Sequence, residues 1–306
     1  MAALERPARL RPGSRVAVVA PSGPVPDDRL QAGLDLLRGW DLEPVVGAHV
    51  LDVHPEFGYL AGRDADRAAD LQRAWCDPTV DAVLCARGGY GAQRMVDLLD
   101  WDALRAAGPK VFVGFSDITA LHEAFATRMG LATLHGAMVA GVDFLKSGRA
   151  QTSLRHTFFE PETVRTLAAG RPLVAGRATG VTLGGCLSLL AADLGTPHAR
   201  PSARGGLLCL EDVEEEPYRL DRYLTQLLRA GWLDGVAGIL LGSWEKCGAY
   251  EDVRALLADR LGGLGVPVVE RFGFGHCEGA LTIPFGVRAE LDAEAGVLTL
   301  TEPALR

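Results

Sequence analysis

The stretch VFVGFSDITALH, residues 111–122, passes without a gap from an apolar run of strand length into a helical pattern. A run of four or five apolar residues feeding a helix directly is how a buried parallel strand meets its crossover helix. The alternation recurs upstream. VAVVA at 16–20 precedes a helix from about Asp27 to Trp40, and AVLCA at 82–86 precedes a helical pattern that begins near Ala92. Strands joined this way form a parallel sheet whose ligand sites gather at the carboxyl ends of the strands. Residues 1–150 are therefore expected to form a Rossmann-like α/β domain.

Past Lys146 the strand pattern fades into polar sequence rich in Arg, Gly and Pro, FFEPETVRTLAAGRPLVAGRATG, and residues 151–178 read as a linker. The remainder, 179–306, carries LLCLED, a helix from about Leu220 to Arg229, GILLGSW and VPVVERF. It ends in VRAELDAEAGVLTL, where two alternating runs flank a turn at Asp292 to Gly296. A second, mixed α/β domain with antiparallel strands is expected. Two units suit a chain of 306 residues, which exceeds what one core usually fills.

Composition excludes several classes. Hydrophobic residues make up 48% and charged residues 23%, the balance of a packed globule. With a formal net charge of -8 and no Lys/Arg cluster, nothing would neutralise a nucleic-acid backbone or an anionic membrane. The N-terminus lacks the apolar core of a signal peptide and no apolar run reaches spanning length, so a cytoplasmic protein is expected. Six cysteines (Cys76, Cys85, Cys186, Cys209, Cys247, Cys277) form no CxxC pair and no HExxH occurs. Neither a metal nor a cofactor is indicated.

Ser116 lies where the strand ends and the helix begins. A serine on such a turn presents its hydroxyl, and the following amide, of Asp117, is free to receive an oxyanion. The other reading is a helix N-cap. Ile118 stands where the second glycine of GxSxG would be, which weakens an ordinary α/β-hydrolase assignment. At the preceding strand end, Arg87-Gly88-Gly89-Tyr90-Gly91 offers backbone amides, with Gly89 the choice for a second oxyanion donor. A plain strand-to-helix turn or an anion site would use the same glycines. A serine nucleophile needs a histidine base oriented by a carboxylate. His276, framed by Gly273, Gly275 and Gly279, fits best, with His135 its rival. His122 sits mid-helix, while His49, His54, His156 and His198 read as solvated surface. Glu211, at the end of LLCL, is the candidate carboxylate and Asp212 a substitute; Glu214 to Glu216 read as a solvated acidic loop.

Together these pieces resemble the LD-carboxypeptidase family of serine peptidases, which includes murein tetrapeptide carboxypeptidases and microcin C immunity hydrolases. The resemblance runs through VAVVAPSGP, FGYLAG, DLQRAWCDPTVDAVLCARGGYGAQRMVDLLD, VFVGFSDITALH and LHGAM. It continues through GGCLSLLAADLGTP, LCLEDVEEEPYRLDRYLTQLLRAGWLDGVAGILLGSW and GFGHCEGALTIPFG, nearly the whole chain. It implies a glutamine-amidotransferase-like N-terminal domain and a triad of Ser116, Glu211 and His276. It further implies an oxyanion hole at Gly89 and Asp117, a cleft between the domains and a homodimer. The implied activity is release of terminal D-alanine from cytosolic murein tetrapeptides. Arg87 is then the candidate cation for the substrate carboxylate, with packing or an ion pair to Glu211 or Asp117 as its other role; Gly88 and Tyr90 complete the substrate contacts. One departure is Cys186 in GGCL, where the family often has asparagine. Two other functions stay open: an amidase acting on peptidyl or aminoacyl sulfamoyl-adenylates, and a non-catalytic module that binds an anion or nucleotide.

Overall fold

The computed structural model describes residues 1–306. The strands of the first half are β1 (Arg15–Val19), β2 (Glu43–Val46), β3 (Ala82–Cys85), β4 (Val111–Gly114) and β5 (Thr133–His135), all parallel where they pair. Their period of two explains the layering. Val16, Val18, Ala82, Leu84, Val111 and Val113 enter one apolar cluster, while Ala17, Val19, Val83, Cys85 and Phe112 enter another. Helix α1 (Asp27–Gly39) covers the first face. Helices α2 (Asp64–Cys76), α3 (Ala92–Met95), α4 (Trp101–Ala107) and α5 (Thr119–Met129) cover the second. Because both of their faces are buried, β1, β3 and β4 read as apolar runs, the pattern that made them visible in sequence, whereas the exposed edge strand β2 and the short β5 did not show.

Two helices, α6 (Val142–Lys146) and α7 (Gly148–Phe159), close this half. The expected linker 151–178 differs from a plain connection. It holds most of α7 and two strands, β6 (Thr166–Ala168) and β7 (Arg171–Val174), which form the two edges of the second sheet. Short edge strands with at most one buried residue carry little apolar signal, which is why this stretch read as a connection.

The second sheet is ordered β6-β14-β13-β8-β9-β10-β11-β7. Its centre is parallel: β8 (Arg177–Cys186), β9 (Gly206–Val213), β10 (Gly238–Glu245) and β11 (Val268–Glu270). Its flank is antiparallel, with β13 (Arg288–Asp292) and β14 (Val297–Leu300) making the expected hairpin. Helices α8 (Leu187–Ala192), α9 (Pro217–Arg229) and α10 (Tyr250–Leu261) pack on one face. In α9, Pro217 occupies the first turn, where its missing N–H costs nothing, and Leu220, Leu224 and Leu227 form one buried stripe.

The two halves are not separate at 179. Strand β12 (Ile283–Phe285), late in the chain, leaves the second sheet and pairs antiparallel with β5 on the edge of the first. The largest apolar cluster also joins Val113 and Leu134 of the first sheet to Cys209 and Val269 of the second. The segment 271–282 therefore crosses from one sheet to the other, and it carries His276.

Candidate active site

Ser116 follows the end of β4 with φ of 65°, a left-handed backbone angle that is unfavourable for a residue with a side chain. The strain is held in place by close packing beneath. A Cβ on Gly88 would lie 2.9 Å from Ser116 Cβ and 3.0 Å from its Oγ, so only glycine fits under the serine. A Cβ on Gly23 would lie 2.9 Å from Gly88 O, and the Gly23 amide donates to that same carbonyl at 3.0 Å. Three turns thus stack at the carboxyl end of the sheet: Pro21 to Pro24, Arg87 to Gly91, and Phe115 to Asp117.

Two buried charges lock these turns, and sequence reasoning missed both. The Asp117 carboxylate accepts from Ser22 Oγ at 2.5 Å and from the Ala92 amide at 2.8 Å. Burial pushes its pKa up, against these donors and the charge of Arg67. Arg67, 2% exposed, donates to Pro21 O and to Gly91 O and pairs with Asp64. The amides of Gly89 and Asp117 take no part in the loop and turn hydrogen bonds. Arg87 is exposed and donates to Pro24 O at 2.7 Å; it makes no ion pair with Glu211 or Asp117. Tyr90 is exposed beside Tyr59, ring centroids 5.9 Å apart.

The other half of the site comes from the second sheet. Glu211, on β9, is 0% exposed. Its Oε2 accepts from the His276 amide at 3.1 Å and lies 2.7 Å from His276 Nδ1. Gly275, at φ of 89°, permits this approach, since a Cβ there would stand 2.4 Å from Oε2. Burial alone would raise the Glu211 pKa. The positive charge of His276 and its Nδ1 hydrogen bond, together with His135 nearby, outweigh burial and hold the carboxyl well below its usual range. Reciprocally, burial opposes the charge on His276, but Glu211 prevails and its pKa is raised.

Asp212, the substitute considered for Glu211, points to the opposite side of the strand. It accepts from the Ser188 and Val213 amides, and burial followed by the Glu211 charge raises its pKa to about 6. His135, the rival base, is 1% exposed and stands behind Glu211 with Nε2 3.9 Å from Oε1. His122 is buried and neutral, its pKa lowered to about 3 by desolvation. His198, expected on the surface, is instead 6% exposed, bonded to Asp97 at 2.7 Å and packed against Trp101. Its polar neighbours in sequence gave no hint of that long-range packing.

The crossing segment brings His276 over the Ser116 turn, where its ring lies 4.8 Å from that of Phe115, the residue before Ser116. Asp143 of α6 anchors the segment by accepting from the Gly279 and Ala280 amides at 2.8 and 3.1 Å. Nδ1 of His276 is committed to Glu211, and Nε2 makes no hydrogen bond; none joins His276 to Ser116 Oγ. The donor atoms of Cys186, Glu211 and His276 lie within 4.8 Å of one another. Hydrogen bonds inside the trio already occupy both carboxylate oxygens, an arrangement for steering a proton rather than cradling a metal.

A serine on a strained strand-to-helix turn, glycine amides beside it and an imidazole held by a buried glutamate define a hydrolase-type site on two sheets. The chain belongs to the LD-carboxypeptidase family: residues 16–136 match its N-terminal domain and 179–291 its C-terminal domain. A Streptomyces coelicolor protein with a provisional carboxypeptidase name is 78% identical over 306 residues, covering 100% of this chain and 99% of that one. The crystal structure of muramoyltetrapeptide carboxypeptidase from Oxalobacter formigenes aligns with a TM-score of 0.80 at 30% identity, covering 94% of this chain and 98% of that one. MccF in complex with glutamyl sulfamoyl guanosine aligns with a TM-score of 0.88 over 98% and 99% of the two chains; at 21% identity the likeness is one of fold. No helix is long and apolar enough to cross a membrane.

Proposed function

We propose that this protein is a serine LD-carboxypeptidase that hydrolyses the bond between an L-centre and the terminal D-alanine of murein tetrapeptides. The observation that carries the reading is the 2.7 Å bond from His276 Nδ1 to a glutamate buried in the second sheet, in a chain of this family. Glu211 fixes the tautomer, so that His276 Nε2 takes the Ser116 proton as Oγ attacks the amide carbonyl. The Gly89 and Asp117 amides receive the oxyanion, each such donor being worth about 2.7–4 kcal/mol. His276 then protonates the departing D-alanine amine, and water, activated by the same imidazole, hydrolyses the acyl-enzyme. Arg87, whose guanidinium bonds only one backbone carbonyl, pairs with the substrate's carboxylate, and Gly88 and Tyr90 line the approach.

The same reading takes the enzyme to be a cytosolic homodimer that acts in murein recycling. Light scattering on the purified protein tests the dimer: twice the chain mass is expected, and a monomer removes it.

The deciding experiment incubates the protein and its Ser116→Ala variant with L-Ala-γ-D-Glu-meso-diaminopimelyl-D-Ala and follows D-alanine by mass spectrometry. Release by the unaltered protein alone is expected. No release from the tetrapeptide, but cleavage of an aminoacyl sulfamoyl-adenylate, would move the substrate to that class. Inertness toward both, with no labelling of Ser116 by a fluorophosphonate, would leave a binding module.

A further inference from the structure

Glu211 has two oxygens with different company. Oε2 serves His276 twice, through Nδ1 and the backbone amide. Oε1 receives the Cys186 thiol at 2.9 Å. Behind it, His135 Nε2 stands 3.9 Å away, buried and without a hydrogen-bond partner. Cys186 is not there by accident of packing. Parallel pairing of β8 with β9 sets it directly beside Glu211, and its amide donates to Thr119 Oγ1 at 3.0 Å, in the first turn of the helix that follows Ser116. Gly185 just before it tolerates no side chain, since a Cβ would meet Thr119 Oγ1 at 2.3 Å.

We propose that Cys186 and His135 are positioning residues that act through Oε1 of Glu211 to set the basicity of His276. The proposal rests on the Ser116, His276, Glu211 reading above. A donor to one carboxylate oxygen draws charge away from the other, which loosens the hold of Glu211 on the Nδ1 proton. The Cys186 hydrogen bond at Oε1, with the polar edge of the His135 ring 3.9 Å behind it, thus lowers the proton affinity of His276 and keeps more of it in the neutral form a general base requires. A thiol, kept protonated by burial, does this more weakly than an amide or hydroxyl. The other groups around His276 are Asp212 on β9, Glu214 just past its end, Lys246 paired with Glu214, and the neighbouring Cys277. Cys186→Ala and His135→Phe leave all of these in place.

The test is the pH dependence of kcat/KM for the unaltered enzyme and for Cys186→Ala, Cys186→Ser and His135→Phe. Removing the thiol donor or the neighbouring imidazole is expected to move the acid limb upward by about half to one pH unit, a roughly three- to tenfold loss on that limb, with the plateau kept. Cys186→Ser, which restores a donor, is expected to return the limb to its original place or below. Loss of the plateau with an unmoved limb would mean that the two residues only pack, and would overturn the proposal. The Nδ1 proton of His276, followed by NMR in the protein without substrate, gives a readout independent of turnover: its titration should shift with the limb. If it does not move in Cys186→Ala or in His135→Phe, the proposal fails even where the hydrolase reading stands. If the unaltered enzyme hydrolyses nothing while the proton still shifts, it is the hydrolase reading that fails.

Discussion

The two halves of the site are held by different forces. Around Ser116 the determinants are mostly backbone: a left-handed residue, glycines at van der Waals limits and three turns stacked on one another, tied together by buried Asp117 and Arg67. Around His276 they are charges and hydrogen bonds: a glutamate with no exposed surface, an imidazole and a thiol. The first half orients Ser116 and the amides beside it with little freedom left to lose. The second depends on ionisation, and so makes the site sensitive to pH.

The strongest way to break this contrast is Glu211→Gln. An amide of the same shape keeps the packing but presents the wrong tautomer to His276. A fall in kcat/KM on the order of 10³- to 10⁴-fold is expected, with the fold intact by circular dichroism. A loss under tenfold would mean that charge does not organise this half. The matching change on the first half is Arg67→Ala, which leaves the Pro21 and Gly91 carbonyls and Asp64 without their buried partner. Destabilisation of about 3–5 kcal/mol in urea unfolding is expected. Equal stability would show that the turns hold themselves.

A pH profile sharpens the comparison next. The His276 pKa lies above its ordinary 6.5 because Glu211 outweighs burial, so kcat/KM should fall as pH drops through a midpoint above 6.5. The stability that His276 draws from this contact runs the other way: it is complete below 6.5 and is lost as pH rises through the folded value. Glu211, with its pKa lowered, contributes stability above its ordinary 4.5 that disappears as pH falls. A kinetic midpoint well below 6.5 would mean that the carboxylate does not act on the base.

The same contrast decides what could be read from sequence. Ser116 and Gly89 sit at the ends of strands that are buried on both faces, and a backbone turn leaves its glycines in the local sequence. His276 and Glu211 were found because glycines frame one and an apolar strand carries the other. The bond between them is a long-range fact. What escaped has no local signature: Asp117 was read only for its amide, though its side chain ties Ser22 to Ala92. Asp143 anchors a segment some 136 residues away, and β12 crosses between sheets on three residues. Arg67, in the first turn of α2, has nothing in its local sequence that points to the carbonyls that bury it.

The smallest effect tests the backbone half most directly. Ser116→Ala and Ser116→Gly both remove the hydroxyl, so both are expected to be inactive and differ only in what φ of 65° costs them. Alanine keeps a Cβ in the left-handed region, while glycine visits it freely, a difference of about 1 kcal/mol. Part of that gain is returned because glycine gives the unfolded chain more freedom to lose. The net expectation is that Ser116→Gly melts about 1–2 °C above Ser116→Ala in a chain of this size. If alanine is as stable as glycine, the turn stores no strain, and the serine is placed by its contacts with Gly88 and by the Asp117 anchor alone. If glycine is the more stable, the fold is holding the nucleophile against its own backbone preference, and the rigidity of the first half is a cost the packing of the three turns must cover.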